Sequence, residues 1–411
     1  MPVDDPGVLD TEPSTTVFFI PAEVILRTLK HFSRQMQHSI RADIAAWDGI
    51  LDHRTGSSGD NATSVWLAEA IAAAGAVPYI DKFSFDRLIP HKCSVTIDGL
   101  RIDGVPLFDC LFSPQVEAPL NRLATGKGIG VTTFSPNAQH AGTKALLEAR
   151  ERNFHQGIVA VSEGGTDGLS LLNADNFSRP FGPPVLQIDG GHKDSLMKAV
   201  TGGFIGRMSF DIHRQPAEAS NVQTTIRGTD PSLAPLVIMT PKSAWWTCTA
   251  ERSGGIVAWL ACIRHFVVNP PCRDILFTAN TGHELGHAGL EHYMREQKNL
   301  GAAAHAWIHL GANLGAVDSI PRFQFSNEYL ENLGTSHFAT FGIHPGSCTP
   351  IGARPGGEAC NIYDEGGQYL SLLGSNRWFH HPDDRWPHSI DLDRTTRIAN
   401  AIVRIAKDLA A

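Results

Sequence analysis

The sequence lacks the features that would place it quickly. No two cysteines form a CxxC, and none of the seven (Cys93, Cys110, Cys248, Cys262, Cys272, Cys348, Cys360) falls at a metal-ligand spacing. An odd number at low density reads as reduced thiols in a cytoplasm, not as a disulfide framework; only Cys248 lies close to the residues singled out below. There is no basic run, and a net charge of −8 with a pI near 6.2 argues against a nucleic-acid or membrane-surface role. Long apolar runs are missing too: Val17 to Ile20 and Val24 to Leu29 are too short to span a bilayer. The acidic, Pro-containing N-terminus has no positive segment ahead of an apolar core, so no signal peptide is expected. No internal repeat or low-complexity tract stands out. What remains is a cytoplasmic globular protein that meets a small molecule, with no nucleic-acid or membrane partner and with a homo-oligomer left open.

The chain has 411 residues, 42% of them hydrophobic and 18% charged, which suffices for a large core and two domains. Residues 22–52 read as a helix with Ile25, Leu26, Leu29 and Phe32 on one face. The polar glycine loop His53 to Asp60 follows, then a second helix from Asn61 to Ala74. Between 93 and 228 short β-rich runs, such as Ile158 to Val161 and Pro184 to Ile188, alternate with glycine and proline turns. That stretch reads as a small β-rich domain inserted into a main domain of residues 1–92 and 229–411. The α/β pattern resumes with a strand at Leu236 to Met239, a helix from 255 to 266, a strand at 275–279, a helix from 284 to 296, a strand at 304–310 and a last helix at 394–409. Such alternation predicts an α/β fold with a mostly parallel or mixed sheet flanked by helices, whose ligands gather at the carboxyl ends of the strands.

Residues 275–292, ILFTANTGHELGHAGLEH, carry the chemistry, and they admit two readings. His283-Glu284-Leu285-Gly286-His287 is HExxH, in which two histidines one helical turn apart hold zinc and the glutamate is the base. The third ligand of the metzincin version requires HExxHxxGxxH. Here Gly289 and His292 each come one residue too early, and one residue turns a helix by about 100°. In its context the same stretch is an apolar strand running through a glycine turn into an acidic position.

That context, with four other pieces in order, resembles the zinc aminopeptidase family that includes glutamate carboxypeptidase, bacterial leucyl-type aminopeptidases and glutaminyl cyclases. The pieces are HRTGSSGDNATSVWLAEAIAAAG, LVIMTPKSAWWTCTAERSGGIVAWL, ILFTANTGHELGHAGLEHY, AAHAWIHLGANLGA and NRWFHHPDDRW. The 93–228 insert resembles the family's protease-associated domain, and Ser220-Asn221-Val222 its return to the catalytic domain. The resemblance implies the phosphorylase/hydrolase-like aminopeptidase fold and a metal site, and position by position it implies repeated departures. The family's first histidine falls on Pro241 and its aspartate partner on Ser243; the bridging aspartate becomes Glu251, the catalytic glutamate His283 and a strand-end aspartate His309, while Glu284 and His380 are kept. These positions imply one divalent ion per chain, Mn²⁺ or Zn²⁺, held by Glu251, Glu284 and His380, with His309 as a further metal ligand. His283 would be the water-activating base or else a ligand. His287 would be a packing residue, His381 an alternative to His380, and Asp383 and Asp384 would orient the histidine.

The lost ligands and the lost glutamate base point away from ordinary peptide cleavage. Trp245, Trp246, Trp378 and Phe379 flank the ligand positions and favour a flat apolar substrate. Arg252, Arg377 and Arg385 are candidates to grip a carboxylate. The resemblance includes one such departure, the hydrolytic deamination of a nitro-substituted anthranilate. The expected function is therefore metal-assisted hydrolysis of a C–N bond in a small aromatic acid; the alternatives are a divergent aminopeptidase or amidase and a catalytically dead binding relative.

Overall fold

The computed structural model describes residues 22–411 except 124, 125, 138 and 165, with side chains from Gln35 onward. The N-terminal run Val17 to Ile20 and the side chains on the first face of the long helix lie outside the described residues. In chain order the protein forms α1 (Ala22–Gly49), α2 (Ser58–Ala73) and the long strand β1 (Tyr79–Ile97). There follow β2 (Leu100–Asp103), β3 (Val105–Pro106), β4 (Gln115–Arg122), β5 (Ile129–Phe134), α3 (Ala141–Arg152), β6 (Gly157–Ser162), β7 (Val185–Ile188), α4 (Lys193–Thr201) and the second long strand β8 (Ile205–Ile226). Then come β9 (Leu236–Pro241), α5 (Thr249–Val268), β10 (Ile275–Asn280), α6 (Ala288–Glu296), α7 (Leu300–Ala303) and β11 (Ala306–Leu310). The chain ends with β12 (Arg322–Phe325), α8 (Glu328–Thr340), β13 (Ser347–Thr349), α9 (Ala359–Asp364), β14 (Tyr369–Leu373) and α10 (Leu392–Leu409). Among the described residues no helix is long and apolar enough to cross a membrane.

The central sheet runs β13-β12-β14-β11-β9-β10-β8. Its middle strands β14, β11, β9 and β10 are parallel, and β8 joins β10 antiparallel. β9 is buried along its whole length, as a strand covered on both faces must be. Helix α5 is buried from Thr249 to Ile263 on every face and packs among α1, α2, α10 and the sheet in the largest apolar cluster. α10 instead keeps a buried stripe at Ile398, Ile402, Ile405 and Leu409.

β1 and β8 pair along their length, from Tyr79 opposite Gln223 to Ile97 opposite Gly206, with a register shift between Pro90 and Lys92. At one end β8 pairs with β10 of the central sheet, and at the other with β4. β4, β5, β6 and β7 form a parallel run with apolar clusters of their own. The segment expected as an insert is thus carried on a continuous two-stranded ribbon that belongs to both sheets. A smaller cluster of Leu88, Phe108, Leu171, Ala174, Trp245 and Leu285 joins the two parts.

The helix expected from residue 284 is corrected by the structure. His283–Leu285 is a single 3₁₀ turn, Gly286 and His287 follow at φ 69° and 62°, and the α-helix begins only at Ala288. Two consecutive left-handed residues cannot lie inside an α-helix. HExxH therefore does not sit on a helix, and the zincin arrangement is excluded. Gly286 also has no room for a side chain, since a Cβ there would lie 2.6 Å from the carbonyl of Asp175.

The close packing of α5 on the sheet gives a direct test. A Cβ at Gly255 would lie 2.6 Å from Thr240 Oγ1 and 2.8 Å from the carbonyl of Leu310, whereas one at Gly49 meets nothing within 4 Å. Gly255→Ala should cost about 1–3 kcal/mol in urea unfolding through overpacking. Gly49→Ala should be neutral or gain up to about 1 kcal/mol.

Candidate active site

The carboxyl ends of β9, β10 and β11 converge with the first turn of α5, the loop before α2, the start of α9 and the loop before α10. β9 delivers Pro241, Lys242 and Ser243. Lys242 is fully buried and ion-paired with Asp60, which also accepts hydrogen bonds from Thr281 Oγ1 and the Gly56 N–H, both at 2.9 Å. Ser243 Oγ donates to Glu284 Oε2 at 2.6 Å. The other Glu284 oxygen accepts from the backbone N–H and hydroxyl of Thr55 at 2.8 and 2.6 Å. Both Glu284 oxygens are therefore engaged by neutral donors.

Helix α5 starts at Cys248, which has φ 45° and makes no side-chain cap. Asp384 supplies the cap from far along the chain, accepting from the N–H groups of Ala250 and Glu251 at 2.8 and 2.9 Å. The same turn buries Glu251 and Arg252. Arg252 donates Nε–H to the Ser243 carbonyl at 2.7 Å, and its Nη2 lies 2.6 Å from Glu251 Oε1. That ion pair lacks the angles of a hydrogen bond, so Nη1, Nη2 and both Glu251 oxygens are without hydrogen-bond partners. His380 Nε2 lies 3.3 Å from the same Glu251 oxygen, while its Nδ1 is 2.6 Å from the Leu171 carbonyl. Burial pushes the Glu251 carboxyl up, but Arg252 and His380 outweigh it and hold it at about 2.

His283 Nδ1 lies 3.3 Å from Glu358 Oε1. The spacing suits an ion pair, yet the electrostatics oppose charge on either group. Burial, aided by Arg252 and three neighbouring histidines, holds the His283 pKa well below its usual value. Burial pushes Glu358 up to about 8, against Arg252, which lowers it. We therefore treat the pair as a neutral imidazole beside a protonated carboxyl at pH 7. His309 bonds Ser371 Oγ through Nδ1 at 2.8 Å and leaves Nε2 unpartnered; burial lowers its pKa to about 3. The His287 ring lies 5.1 Å from that of His283, with Nδ1 2.8 Å from Asn361 Oδ1.

A segment between β6 and β7 crosses these loops. The Asp167 carbonyl meets His381 Nε2 at 3.0 Å, the Leu171 carbonyl meets His380, Asn173 accepts from Trp245 Nε1 at 3.1 Å, and the Ala174 N–H donates to the Glu284 carbonyl at 2.8 Å. Beneath it His283 is 6% exposed, His380 2% and Arg252 1%, so the site is shielded from water.

The residues expected to bind substrate do not gather in one place. Arg252 alone lies in the buried cluster. Trp245 packs edge-on against Phe108, and Trp246 donates to the His380 carbonyl at 3.0 Å; both line a cleft of about 330 Å³ with Asp52, Arg54 and Arg385. Arg377 is ion-paired with Asp318 at 3.1 Å and lies over the Trp378 ring, and these two line a separate cleft of about 390 Å³. Arg385 is taken by Asp48 at 2.9 Å. Sequence reasoning did not single out Glu358, Thr55 or the Lys242–Asp60 pair. Glu358 sits in a Gly-Gly-Glu-Ala-Cys stretch with no motif spacing to mark it.

No protein-family model and no curated relative matches this chain. Solved structures do. The chain is similar to a peptidase M28 precursor from Shewanella amazonensis, with TM-score 0.74, 13% identity and coverage of 94% of this chain and 97% of that one. It is also similar to BSAP, a zinc aminopeptidase from Bacillus subtilis, with TM-score 0.69, 12% identity and coverage of 92% and 94%. An aminopeptidase from Aneurinibacillus sp. strain AM-1 gives TM-score 0.68, 13% identity and coverage of 92% and 94%. The chain has the zinc-aminopeptidase fold.

Zinc enzymes of this fold imply a divalent ion, and part of the donor set present suits one. Glu251 and His380 have the separation that two ligands of one ion show, and the Leu171 carbonyl orients His380 as it would a ligand. The rest of the set does not follow. Among the described residues the one group of three or more ligand atoms all within 4.8 Å of each other is Cys248, Glu251 and Asp384, without Glu284, His309 or His380. In that group Asp384 is committed to its cap on the first turn of α5. The Arg252 Nη2 also lies 2.6 Å from the shared Glu251 oxygen, outside hydrogen-bond angles. An ion about 2 Å from that oxygen would lie within about 5 Å of Nη2, so the guanidinium charge opposes it. The donor set does not fit the metal shell of the fold's zinc enzymes.

The Glu358 environment predicts a pH dependence of stability. An unfolded Glu358 loses its proton near 4.5 and the folded one near 8, so folding is progressively penalised as pH rises between those values. Glu358→Gln should flatten the fall in Tm between about pH 5 and pH 8, gaining on the order of 1–4 kcal/mol over the wild type at the upper end. Some slope should remain, because burial also raises Asp384 to about 7. Calorimetry across this range checks it; an unchanged slope would reject the raised Glu358 pKa.

Proposed function

We propose that this chain is a divergent hydrolase of the aminopeptidase type that cleaves the C–N bond of a small, carboxylate-bearing aromatic amine, as in nitroanthranilate deamination. The observation that carries this reading is the His283–Glu358 pair: a neutral base and a protonated acid 3.3 Å apart, both buried, beside the open donors of Arg252. Groups held in complementary protonation states in a dry site are the usual means of acid–base work at neutral pH.

With His283 Nδ1–H donating to Glu358 Oε1, Nε2 is left as the base and the carboxyl proton rests on Oε2, which has no other partner. A water attacks the carbon that bears nitrogen and gives its proton to Nε2. The C–O bond forms, the C–N bond breaks, and the departing nitrogen takes the Glu358 proton, leaving as ammonia. Arg252 holds the substrate carboxylate through the reaction. The covering segment from Asp167 to Ala174 keeps bulk water out, which strengthens each of these interactions.

A second reading, an amidase or aminopeptidase, is favoured by one observation, the ligand-like separation of Glu251 and His380. The purified chain should be assayed with aminobenzoates for ammonia and with aminoacyl-nitroanilides for nitroaniline. Ammonia release, lowered at least about 100-fold in kcat by His283→Ala at unchanged circular dichroism, is the expected result. Nitroaniline from many aminoacyl substrates without ammonia from aminobenzoates would favour the second reading, and no product from a folded chain would make it a binding relative.

A further inference from the structure

We infer that Arg252 is the built-in cation of this site, standing in for a metal ion, and that it forms a seat for the carboxylate of a small organic acid. Three Lys or Arg side chains are buried among the described residues: Arg150, Lys242 and Arg252. Arg150 Nη2 donates to the Asp109 side chain and carbonyl at 2.7 and 2.9 Å, and Lys242 rests on Asp60. Arg252 differs. It is 1% exposed, one of its N–H groups is satisfied by Ser243, and both terminal nitrogens lack hydrogen-bond partners. A guanidinium is planar and presents its terminal N–H groups as a fork, whose natural partner is a carboxylate taken through two parallel hydrogen bonds.

Polar atoms without partners are buried around Arg252 on His309, Glu358 and His380, and of these the protonated Glu358 carboxyl can donate to a carboxylate, while the ionised Glu251 lies on the guanidinium itself. The one close anion, Glu251, meets the guanidinium at angles that make no hydrogen bond, so the fork is held near a negative charge without being consumed by it. An always-charged side chain, locked through Nε to a strand-end carbonyl, serves as the anion anchor without any bound ion. The substrate carboxylate named in the proposed function is the ligand in question. The seat itself does not depend on whether a C–N bond is then broken.

The test uses the full-length chain with benzoate and 2-aminobenzoate as probes, titrated calorimetrically with and without EDTA, alongside elemental analysis after loading with Zn²⁺ or Mn²⁺ and desalting. The expected result is no stoichiometric metal and aryl carboxylate binding that EDTA leaves unchanged. Arg252→Lys, which keeps the charge but loses the fork, should weaken binding by about tenfold or more. Binding by Arg252→Ala should recover in part when guanidinium is added at concentrations that leave its circular dichroism native, a rescue that a merely structural role would not produce. A stoichiometric ion whose removal abolishes binding would overturn the inference, as would a folded wild type that binds neither acid. Binding without turnover would leave it standing while rejecting the proposed hydrolysis.

Discussion

A guanidinium held almost out of contact with water costs several kcal/mol to desolvate, and only close compensation makes its burial tolerable. In this protein that burden falls on Arg252, and much of the site follows from it. The charge holds the Glu251 carboxyl ionised at about 2 despite complete burial. With burial as the larger cause, it also disfavours a proton on His283 and His309. A positive charge that does not titrate near neutrality thus adds to burial at the histidines and opposes it at Glu251 and Glu358. Asp384 secures the turn that carries both Glu251 and Arg252 by capping α5, and without that cap the first-turn N–H groups would be buried and unsatisfied.

The β-rich part contributes directly to this centre. Its segment from Asp167 to Asp175 supplies backbone groups to His380, His381 and Glu284, and it presses so close to Gly286 that only a glycine fits there. The ribbon formed by β1 and β8 positions that segment, since the same two strands pair with the central sheet at one end and with the β-rich sheet at the other. A closed roof lowers the local dielectric and raises the worth of every charge beneath it. It raises equally the penalty of an unmatched one, which is why the orphaned atoms around Arg252 ask for a ligand rather than for more packing.

Much of the fold was legible in the sequence because its signals are local. Runs such as Leu236 to Met239 and Ile275 to Ala279 are continuous apolar strands bounded by turn residues, and β9 and β10 contain them. The long ribbon was not, because β1 alternates weakly and contains Pro90, and its partner lies more than a hundred residues away. HELGH shows the limit of motif reading. Nothing in it warned that His287 would share the left-handed conformation of Gly286, and that pair of residues decides that the histidine rings lie near one another, tilted, without sharing a helix.

By itself the sequence determined the alternation of strands and helices and the aminopeptidase-type order of its pieces. These follow from periodicity, glycine and proline punctuation and residue identity, all properties of short stretches of chain. Only the tertiary structure decided that Glu284 is spent on Thr55 and Ser243, that Glu358 stands beside His283, and that Arg252 lies on Glu251 with its fork open. Those outcomes depend on distances between residues far apart in sequence and on the desolvation of each charge, and neither is encoded in a local pattern.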